Sequence, residues 1–338
     1  MKANSIDIAY RAGVSQSTVS RALRNSPLVN QKTREKIQAI AKELNYKVDK
    51  NASNLRLQSS ATIALLLFED PTSDDSLINP FFLSMLGSIT RACAGSGYDL
   101  LVSFQQMNAD WHADFEDSNK ADGIILLGYG DFEDYKDKLQ RLIERGTRFV
   151  RWGAEIPDQP VISIGCSNID AGHKITRYLA DKGRKKMAFL GGADSHSPEF
   201  WDRYRGHCKA LEEAGLEVNN KLQFDAVSTE ESGYEAANRL IDLNKPFDTI
   251  FAASDLIAIG AIRALKENYI RVPQDVAVVG FDNIATASSV TPPLTTMKQD
   301  TVKAGELLVS NLLKMIEGEE VESVQMQAEL VIRESCGD

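Results

Sequence analysis

Several features that would assign this chain of 338 residues to other protein classes are scarce or missing. There is no run of about eighteen apolar residues, so no membrane-spanning helix is predicted. The N-terminus leads directly into a predicted helix, without the apolar stretch of a secretory signal. The cysteines lack CxxC spacing, which favours buried or idle thiols over disulfides and metal ligands; they are Cys93, Cys166, Cys208 and Cys336. We therefore expect a cytoplasmic chain without a membrane contact.

Motifs of enzyme active sites are also missing. None of the histidines lies in a G-x-S-x-G, H-E-x-x-H or phosphate-loop context; they are His112, His173, His196 and His207. We assign no catalytic residue, and we expect neither a cofactor nor a metal ion.

Charge is divided unevenly along the chain. Residues 1–60 hold eleven Lys and Arg against four Asp and Glu, a net of +7, whereas the whole chain carries −10. The other 278 residues therefore carry −17. A basic head on an acidic body is typical of a protein whose head contacts phosphate groups of nucleic acid.

The stretch Gly13–Leu23 has the pattern of a short helix with one open face. Ser15 can cap a helix that begins at Gln16, because its hydroxyl can accept a hydrogen bond from a free backbone N–H of the first turn. Val19, Ala22 and Leu23 fall three and four residues apart and form the buried side. The open face then carries Gln16, Ser17, Thr18 and Arg21.

Two more short helices flank this stretch. Ser5–Ala12 presents an apolar face, and Gly13 permits the tight turn that follows. Asn30 can cap a third helix, Gln31–Leu44, whose apolar residues repeat at helical spacing. Three small helices that share one core, in this order, form a helix-turn-helix layout. We place this head at residues 1–45 and a polar connector, too poor in apolar residues to bury itself, at residues 46–60.

From Ala61 onwards, strands alternate with helices, which predicts two parallel, doubly wound lobes. The first series of predicted strands is Thr62–Phe68, Tyr98–Phe104, Asp122–Leu127 and Thr147–Trp152. Helical spacing is weaker in the polar segment Gln105–Lys120. The second series is Val161–Ile164, Lys186–Leu190, Leu222–Phe224, Thr249–Ala252 and Ala277–Phe281. A returning helix, Thr301–Ile316, and a last strand, Gln327–Arg333, complete the α/β body.

Ligands of open parallel sheets bind beyond the carboxyl ends of the strands. The residues that follow the predicted strands include aromatic, acidic and amide side chains: Asn79–Phe82, Tyr129, Trp152, Ser254–Asp255 and Asp282–Asn283. Aromatic rings can pack on the C–H faces of a sugar while acids and amides hold its hydroxyls. Such residues are also common in loops of any α/β protein, so the pattern alone leaves both interpretations open.

The motifs together resemble the lac repressor family of bacterial transcription regulators. The resemblance rests on Asp7–Ala9, Ala12–Ser15, Ser17–Arg21, Lys32–Arg34 and Leu44–Tyr46, and it runs essentially end to end. It implies a helix-turn-helix head, a hinge, and a body of the two-lobed periplasmic sugar-binding type in which three chain segments cross between the lobes. We expect the N-terminal lobe at about 61–164 and 293–325, and the C-terminal lobe at about 165–292 and 326–338.

The resemblance also implies DNA contacts in the head and the hinge. In the family, paired hinge helices lie in the minor groove and a leucine from each wedges between base pairs. Leu55 occupies that position; the alternative is an ordinary linker with one stray leucine. Val48, Asp49 and Ser53 depart from the family's usual Pro, Asn and Arg. The expected DNA-binding residues are Ser15, Gln16, Ser17, Thr18, Arg21, Arg24, Asn25, Lys32, Thr33, Arg34, Tyr46, Ala52, Leu55 and Arg56.

Four positions match the family's effector contacts. Arg203 and Asp282 match the arginine and the acid that bind effector, although the two could instead form a structural ion pair. Ser254 stands where some members have asparagine, and Gln299 lies near a crossover. Val227–Ser228 stands where family members often have an acidic–aromatic pair. An aromatic residue that closes this side of the effector site must therefore be Trp152 or Trp201. The other expected effector contacts are Phe81, Phe82 and Tyr129, and one of the two phenylalanines could belong to the core.

The resemblance implies a sequence-specific DNA-binding regulator, with repression of carbohydrate-utilisation genes and control by a small sugar as the expectation. A non-sugar effector or a protein co-repressor remains an alternative, and a solute-binding protein is disfavoured by the basic head. A single head reads too few base pairs for specificity, so two heads must bind a near-palindromic operator. The chain ends without a leucine heptad, and we expect a homodimer.

We expect Leu55→Ala to leave the head folded, to weaken specific operator binding and to reduce DNA bending. The wedge would act only at the central base step, since it belongs to no core of the head. Gel-shift bending assays measure both effects. Unchanged affinity together with an unchanged bend would assign residues 46–60 to an ordinary linker.

Overall fold

Three short helices form the first of two units into which the chain divides, residues 1–60 and residues 61–338. The computed structural model describes residues 3–23, 25–46, 59–69, 78–105, 110–128, 130–155 and 160–337. Among these residues, no helix is long and apolar enough to cross a membrane.

The helices of the head are α1 (Ser5–Ala12), α2 (Gln16–Leu23) and α3 (Gln31–Glu43). Gly13 ends α1 with φ 70°, a left-handed conformation that glycine adopts without steric cost. The predicted caps are present: the Ser15 hydroxyl accepts the Thr18 N–H at 3.2 Å. The Asn30 side chain accepts the Thr33 N–H at 2.9 Å. The shared core consists of Ile8, Ala9, Ala12, Val19, Ala22, Val29, Ile37 and Ala41.

The body contains a first sheet of six strands that are all parallel. Its strands are β1 (Thr62–Leu67), β2 (Asp99–Phe104), β3 (Gly123–Leu127), β4 (Phe149–Trp152), β5 (Ser163–Cys166) and β11 (Val324–Met326). Their order across the sheet is β11-β5-β4-β3-β1-β2, so β2 forms one edge. The buried apolar runs of β1 and β3 are typical of parallel strands that are covered on both faces.

A second sheet of six strands has the order β12-β10-β9-β8-β6-β7. Its strands are β6 (Met187–Leu190), β7 (Gln223–Phe224), β8 (Thr249–Ala252), β9 (Ala277–Asp282), β10 (Thr295–Lys298) and β12 (Glu329–Val331). Only β12, which pairs with β10, is antiparallel to its neighbour in this sheet. The predicted α/β architecture with two mostly parallel sheets is confirmed.

Helices cover the sheets. They are α4 (Pro80–Gly95), α5 (Phe132–Glu144), α6 (Asn168–Asp181), α7 (Pro198–Glu213), α8 (Glu230–Asp242), α9 (Asp255–Glu267) and α10 (Thr301–Glu317). We call the first sheet with α4, α5 and α10 the N-terminal lobe. The second sheet with α6–α9 is the C-terminal lobe. A π-helical turn, His112–Asp117, and the 3₁₀ turns Asn220–Leu222, Ala285–Ser288 and Glu334–Cys336 complete the described elements.

Three segments cross between the lobes, as the resemblance implied. They lie at Ser167, between β5 and α6, at Gln299–Asp300, between β10 and α10, and at residues 327–328, between β11 and β12. Two of these crossings are adjacent, because the Ser167 N–H donates to the carbonyl of Met326 at 2.8 Å.

Several sequence-based boundaries are wrong. The strand predicted at Val161–Ile164 as the start of the second series is β5 of the first sheet. The segment 293–325 enters the N-terminal lobe later than expected, because β10 pairs with β9 in the second sheet, whereas α10 and β11 do lie in the N-terminal lobe. The predicted last strand, Gln327–Arg333, is present as the shorter β12, and the strand before it, β11 of the first sheet, was not predicted. In the weakly helical Gln105–Lys120, the described helix is the π-helical turn.

Glycines set the distance between the helix pairs of the C-terminal lobe. A Cβ on Gly206 of α7 would lie 2.1 Å from the carbonyl oxygen of Ile169, and one on Gly172 of α6 would lie 2.3 Å from that of Arg203. Real Cβ atoms do not approach backbone oxygens so closely. Gly233 and Gly260 have the same reciprocal arrangement between α8 and α9. Both helix pairs therefore pack backbone against backbone.

We expect Gly206→Ala to lower the free energy of unfolding of the body by about 1–3 kcal/mol, because the added methyl group must push α6 and α7 apart. Gly95→Ala is the matched control, since its Cβ would meet nothing within 4 Å. That substitution should be neutral or stabilising by up to about 1 kcal/mol. Urea unfolding followed by circular dichroism measures both variants. Equal midpoints for Gly206→Ala and the parent would contradict the close packing.

Candidate functional site

Helix α2 presents a polar face to solvent. Gln16, Ser17 and Arg21 are exposed, while Val19 and Ala22 are buried in the core of the head. Gln16 is held against α1, because its Nε2 donates to the Ser5 hydroxyl at 2.8 Å. A short helix with a fixed axis and an open polar face has the geometry of a recognition helix for the major groove.

The other expected DNA contacts in the head have different surroundings. Lys32 is exposed at the start of α3, and Asn25, with φ 56°, accepts a hydrogen bond from Gln38. Nη2 of Arg34 donates to the carbonyls of Ser26 and Val29, both at 2.9 Å. Arg34 therefore holds the loop before α3, a role that the sequence did not indicate.

The remaining expected residues of the head and hinge are placed as follows. The Ser15 hydroxyl lies within 2.9 Å of the Thr18 hydroxyl, Thr33 is half-buried, and Tyr46 packs on the core of the head. Outside the described residues lie Arg24, Ala52, Leu55 and Arg56, together with the departures Val48, Asp49 and Ser53.

In the body, Arg203, Asp282 and Gln299 come together from three elements. Arg203 lies on α7, Asp282 ends β9, and Gln299 lies on the crossover after β10. Gln299 Nε2 donates to Asp282 Oδ1 at 2.7 Å, and the Arg203 guanidinium lies 3.9 Å from the same oxygen. Arg203 also donates from Nε to Asn168 Oδ1 at 2.9 Å. All three predicted residues are buried and adjacent.

The backbone at Asp282 is unusual. Asp282 has φ 108° and the following Asn283 has φ 54°, values that non-glycine residues rarely adopt. Strained conformations of this kind cluster at ligand-binding sites. Asp255 lies nearby: its carboxyl accepts hydrogen bonds from Thr296 Oγ1 and the Ile284 N–H. Burial, with the charge of Asp282 as a second cause, holds the pKa of the Asp255 carboxyl well above its usual range.

Three aromatic side chains of the N-terminal lobe that were expected to contact the effector pack on one another. Phe81 and Phe82, at the start of α4, have ring centroids 5.2 Å apart, and Trp152 at the end of β4 lies 5.9 Å from Phe81. Both phenylalanines are buried in the main core cluster. Trp201 packs on Tyr204 of its own helix and is 37% exposed. The described contacts therefore bring Trp152 to this aromatic group, and not Trp201. Tyr129 lies outside the described residues.

A chain of buried polar side chains joins the two lobes. Asn79, which caps α4, donates from Nδ2 to the Ser228 hydroxyl at 3.1 Å. The Ser228 hydroxyl donates to that of Ser254 at 2.8 Å. Ser254 also caps α9 of the C-terminal lobe. The departure from the family at Ser228 and the predicted residue Ser254 thus belong to one polar contact between the lobes.

A buried ion pair also joins the lobes. Arg151 of β4 and Glu199 of α7 lie 3.2 Å apart, with side chains 3% and 9% exposed. Glu199 Oε1 accepts the Ala154 N–H at 2.8 Å, and Arg151 donates to the Ala154 carbonyl at 2.7 Å. A Cβ on Gly153 would lie 2.1 Å from Arg151 Nη2. Gly153 therefore leaves the space that the ion pair occupies.

A third contact between the lobes lies at the surface. Nδ1 of His196, in the loop after β6, lies 2.8 Å from Asp131 Oδ2, at the start of α5. The Phe132 N–H donates to the carbonyl of His196 at 2.9 Å. The hydrogen bond that the His196 ring donates to the Asp131 carboxylate raises the pKa of His196.

Sequence reasoning missed several of these residues. Arg151 had a detectable signal, because a charged residue within the apolar strand Thr147–Trp152 indicates a buried polar contact. Asn168, Glu199 and His196 had none, since their partners lie far away along the chain. Within the described residues, no group of three or more His, Cys, Asp or Glu side chains could hold a metal ion.

Comparison with known proteins places these features in one family. Residues 6–49 match the family model of bacterial regulatory proteins of the lacI family, and residues 176–336 match that of a periplasmic binding protein-like domain. The regulator RegA of Clostridium saccharobutylicum is 31% identical over 336 residues, 97% of this chain and 98% of the relative. The repressor PurR of Mannheimia succiniciproducens is 29% identical over 334 residues, 97% of each chain.

Solved structures agree. The lac repressor dimer bound to operator and an anti-inducer superposes with a TM-score of 0.85 at 25% identity, over 99% of both chains. The complex of the regulator CelR with cellobiose gives a TM-score of 0.73 at 28% identity, over 98% of this chain and 99% of that one. The chain belongs to the LacI family: it is a DNA-binding transcriptional regulator and not an enzyme.

We expect Arg21→Ala to reduce operator discrimination. The arginine fork can bond guanine O6 and N7 together, and its loss costs about 1–3 kcal/mol per half-site. Lys32→Ala serves as the comparison, because the loss of a phosphate contact weakens binding to all DNA sequences alike. It should also lower the slope of log affinity against log salt concentration by about one per head. Binding to operator and to random DNA across a salt series measures both. Equal losses of Arg21→Ala on the two DNAs would refute base reading by Arg21.

Proposed function

We propose that this regulator represses carbohydrate-utilisation genes and that a mono- or disaccharide, bound between the lobes, controls its affinity for the operator. The observation that carries the proposal is the buried polar group of Arg203, Asp282 and Gln299, which three separate elements of the body bring together. We also propose that the regulator binds its operator DNA in the cytoplasm.

The polar group suits hydroxyl recognition. A carboxylate accepts hydrogen bonds, whereas a guanidinium and an amide nitrogen donate them. Arg203 and Asp282, 3.9 Å apart, can reach neighbouring hydroxyls of one ring. Asn168 holds Arg203 through Nε, so the orientation of the guanidinium is fixed before a ligand arrives. A pre-oriented pair loses little side-chain freedom on binding.

The aromatic group suits the other surface of a sugar. Phe81, Phe82 and Trp152 offer apolar ring faces and edges, which can cover the C–H face of a pyranose. The structural relative CelR, solved with cellobiose, supports a sugar as the ligand class. Planar heterocycles could also stack on such rings and pair with Asp282, so a ligand screen needs purine bases beside mono- and disaccharides.

We propose a homodimer. Two heads are needed for a specific site, and the lac repressor neighbour is a dimer on its operator. Edge strand β2 carries Leu101 and Val102, and the adjacent α4 carries Leu83, all three exposed and apolar. These residues supply a surface that a second copy can cover. Sedimentation that finds a stable tetramer without DNA would contradict this part of the proposal.

The relative placement of the two lobes can control operator binding. A ligand shifts an equilibrium only by its differential affinity for the two states. If Arg203 and Asp282 hold the sugar from one lobe while Phe82 contacts it from the other, binding favours one placement of the lobes. We propose that this placement releases the operator, which makes the sugar an inducer. A protein co-repressor is the alternative, and a pull-down from sugar-grown cells tests for it.

We expect Asp282→Ala to abolish the response to sugar and to retain operator binding, because the acid contacts ligand and not DNA. The ligand is first identified by a thermal-shift screen, since a ligand that binds only the native state raises Tm. Operator affinity is then measured across ligand concentrations for the parent and the variant.

Asp242→Asn, which changes an exposed carboxylate of the same lobe, is the matched control and should respond like the parent. Equal Tm of parent and Asp282→Ala without ligand shows that the variant is folded. A response of Asp282→Ala at the parent's ligand concentration and to the parent's extent would refute the site.

A further inference from the structure

Asp282 and Asn283 form a turn of two consecutive left-handed residues, with φ 108° and φ 54°. Residues other than glycine rarely adopt such conformations, and they keep them only where the surrounding structure holds them. Asp282 is the acid of the proposed effector site. The groups that hold this turn therefore also set the direction of its carboxylate.

Arg333 holds the side chain of Asn283. Its Nη2 donates to Asn283 Oδ1 at 2.7 Å, and its Nη1 donates to the carbonyl of Leu294 at 2.6 Å. The guanidinium thus bridges the turn and the residue that precedes β10. Because a guanidinium is a rigid planar fork, two hydrogen bonds from it fix a geometry that one flexible donor would not.

The backbone of Arg333 is itself fixed. Its N–H donates to the Thr295 hydroxyl at 2.8 Å, and that hydroxyl donates to the carbonyl of Arg333 at 2.9 Å. Arg333 lies two residues after β12, and β12 directly follows the crossing at residues 327–328. The turn that carries the effector acid is therefore tied to the segment that enters the C-terminal lobe at this crossing.

The backbone of the turn is held as well. The Asn283 N–H donates to the Thr296 hydroxyl at 3.4 Å, and the Ile284 N–H donates to the Asp255 carboxyl at 2.8 Å. Burial raises the pKa of that carboxyl, and the charge of Arg333 acts in the opposite sense. A test of Arg333 must therefore separate its contact with Asn283 from the effect of its charge.

We propose that Arg333 is a positioning residue of the effector site: its bond to Asn283 holds the left-handed turn and so directs the Asp282 carboxylate towards the sugar. This role rests on the sugar site of the proposed function. Without the bond, Asn283 can leave its left-handed conformation. Asp282 then turns away from Arg203, because residues 282 and 283 share a peptide group, and misplaced contacts bind ligand more weakly.

Variants separate the contact from the charge. Arg333→Met removes both. Asn283→Gly removes only the contact, because glycine adopts a positive φ without steric cost and Arg333 keeps its charge. Arg177→Met, which removes an exposed arginine of α6, is the matched control. If Arg333→Met does not fold, Asn283→Gly still tests the proposal, since it leaves the bonds of Arg333 to Leu294 and Thr295 in place.

Hydrogen exchange of the full-length protein without sugar, followed by NMR, tests the hold on the turn. We expect the protection factor of the Ile284 amide to fall by about tenfold in Arg333→Met and in Asn283→Gly, because the turn opens more often. Arg177→Met should match the parent. An unchanged protection factor in Asn283→Gly would overturn the proposal.

Calorimetric titration with D-glucose, D-galactose, maltose and cellobiose tests the link to the effector site. Any of these sugars that the parent binds should bind about tenfold more weakly to Arg333→Met and to Asn283→Gly. The double variant should lose no more, because both substitutions remove the same contact. Parent-like sugar affinity of the two single variants would overturn the proposal. If the parent binds none of the four, the proposed function fails, and the exchange of Ile284 still decides whether Arg333 holds the turn.

Discussion

Arg151 and Glu199 place one cation and one anion between the two lobes, and both side chains are almost completely buried. Burial of a charge is costly, and a buried ion pair offsets that cost only when its geometry is good and further hydrogen bonds are made. Here the backbone of Ala154 bonds to both partners. If the lobes separate completely, both charges become exposed to water. If the lobes shift only slightly, both charges stay buried but lose part of their pairing. This contact therefore favours two discrete arrangements over a continuum.

Helix α7 connects that contact to the proposed effector site. Glu199 and Arg203 stand four residues apart on it, so they lie on one face. Glu199 pairs with the N-terminal lobe, while Arg203 lies beside Asp282 and Asn168. The close packing of α6 on α7 at Gly172 and Gly206 limits how far α7 can move alone. A ligand that contacts Arg203 can thus influence the contact between the lobes through one rigid helix.

Most of the fold could be predicted from the sequence because helical and strand patterns are local. The head was predicted correctly, with Ser15 and Asn30 as caps, since capping depends on residues three apart. Strand β10 was not predicted, because Thr295 and Thr296 are polar in sequence. Both are buried in the structure, where their hydroxyls donate hydrogen bonds to groups that are distant along the chain. The group of Arg203, Asp282 and Gln299 was expected from the family resemblance. The ion pair of Arg151 with Glu199 was not, since nothing local joins residues 48 positions apart.

The central claim is that the site around Arg203 and the operator-binding head are coupled through the lobes. Coupling free energy is reciprocal: an effector that weakens operator binding must itself bind the operator complex more weakly, by the same factor. The most direct measurement is calorimetric titration of the identified ligand into free protein and into the protein–operator complex. The account predicts a weaker ligand affinity in the complex, with a ratio equal to the loss of operator affinity that the ligand causes. Identical ligand affinities in the two titrations would contradict it.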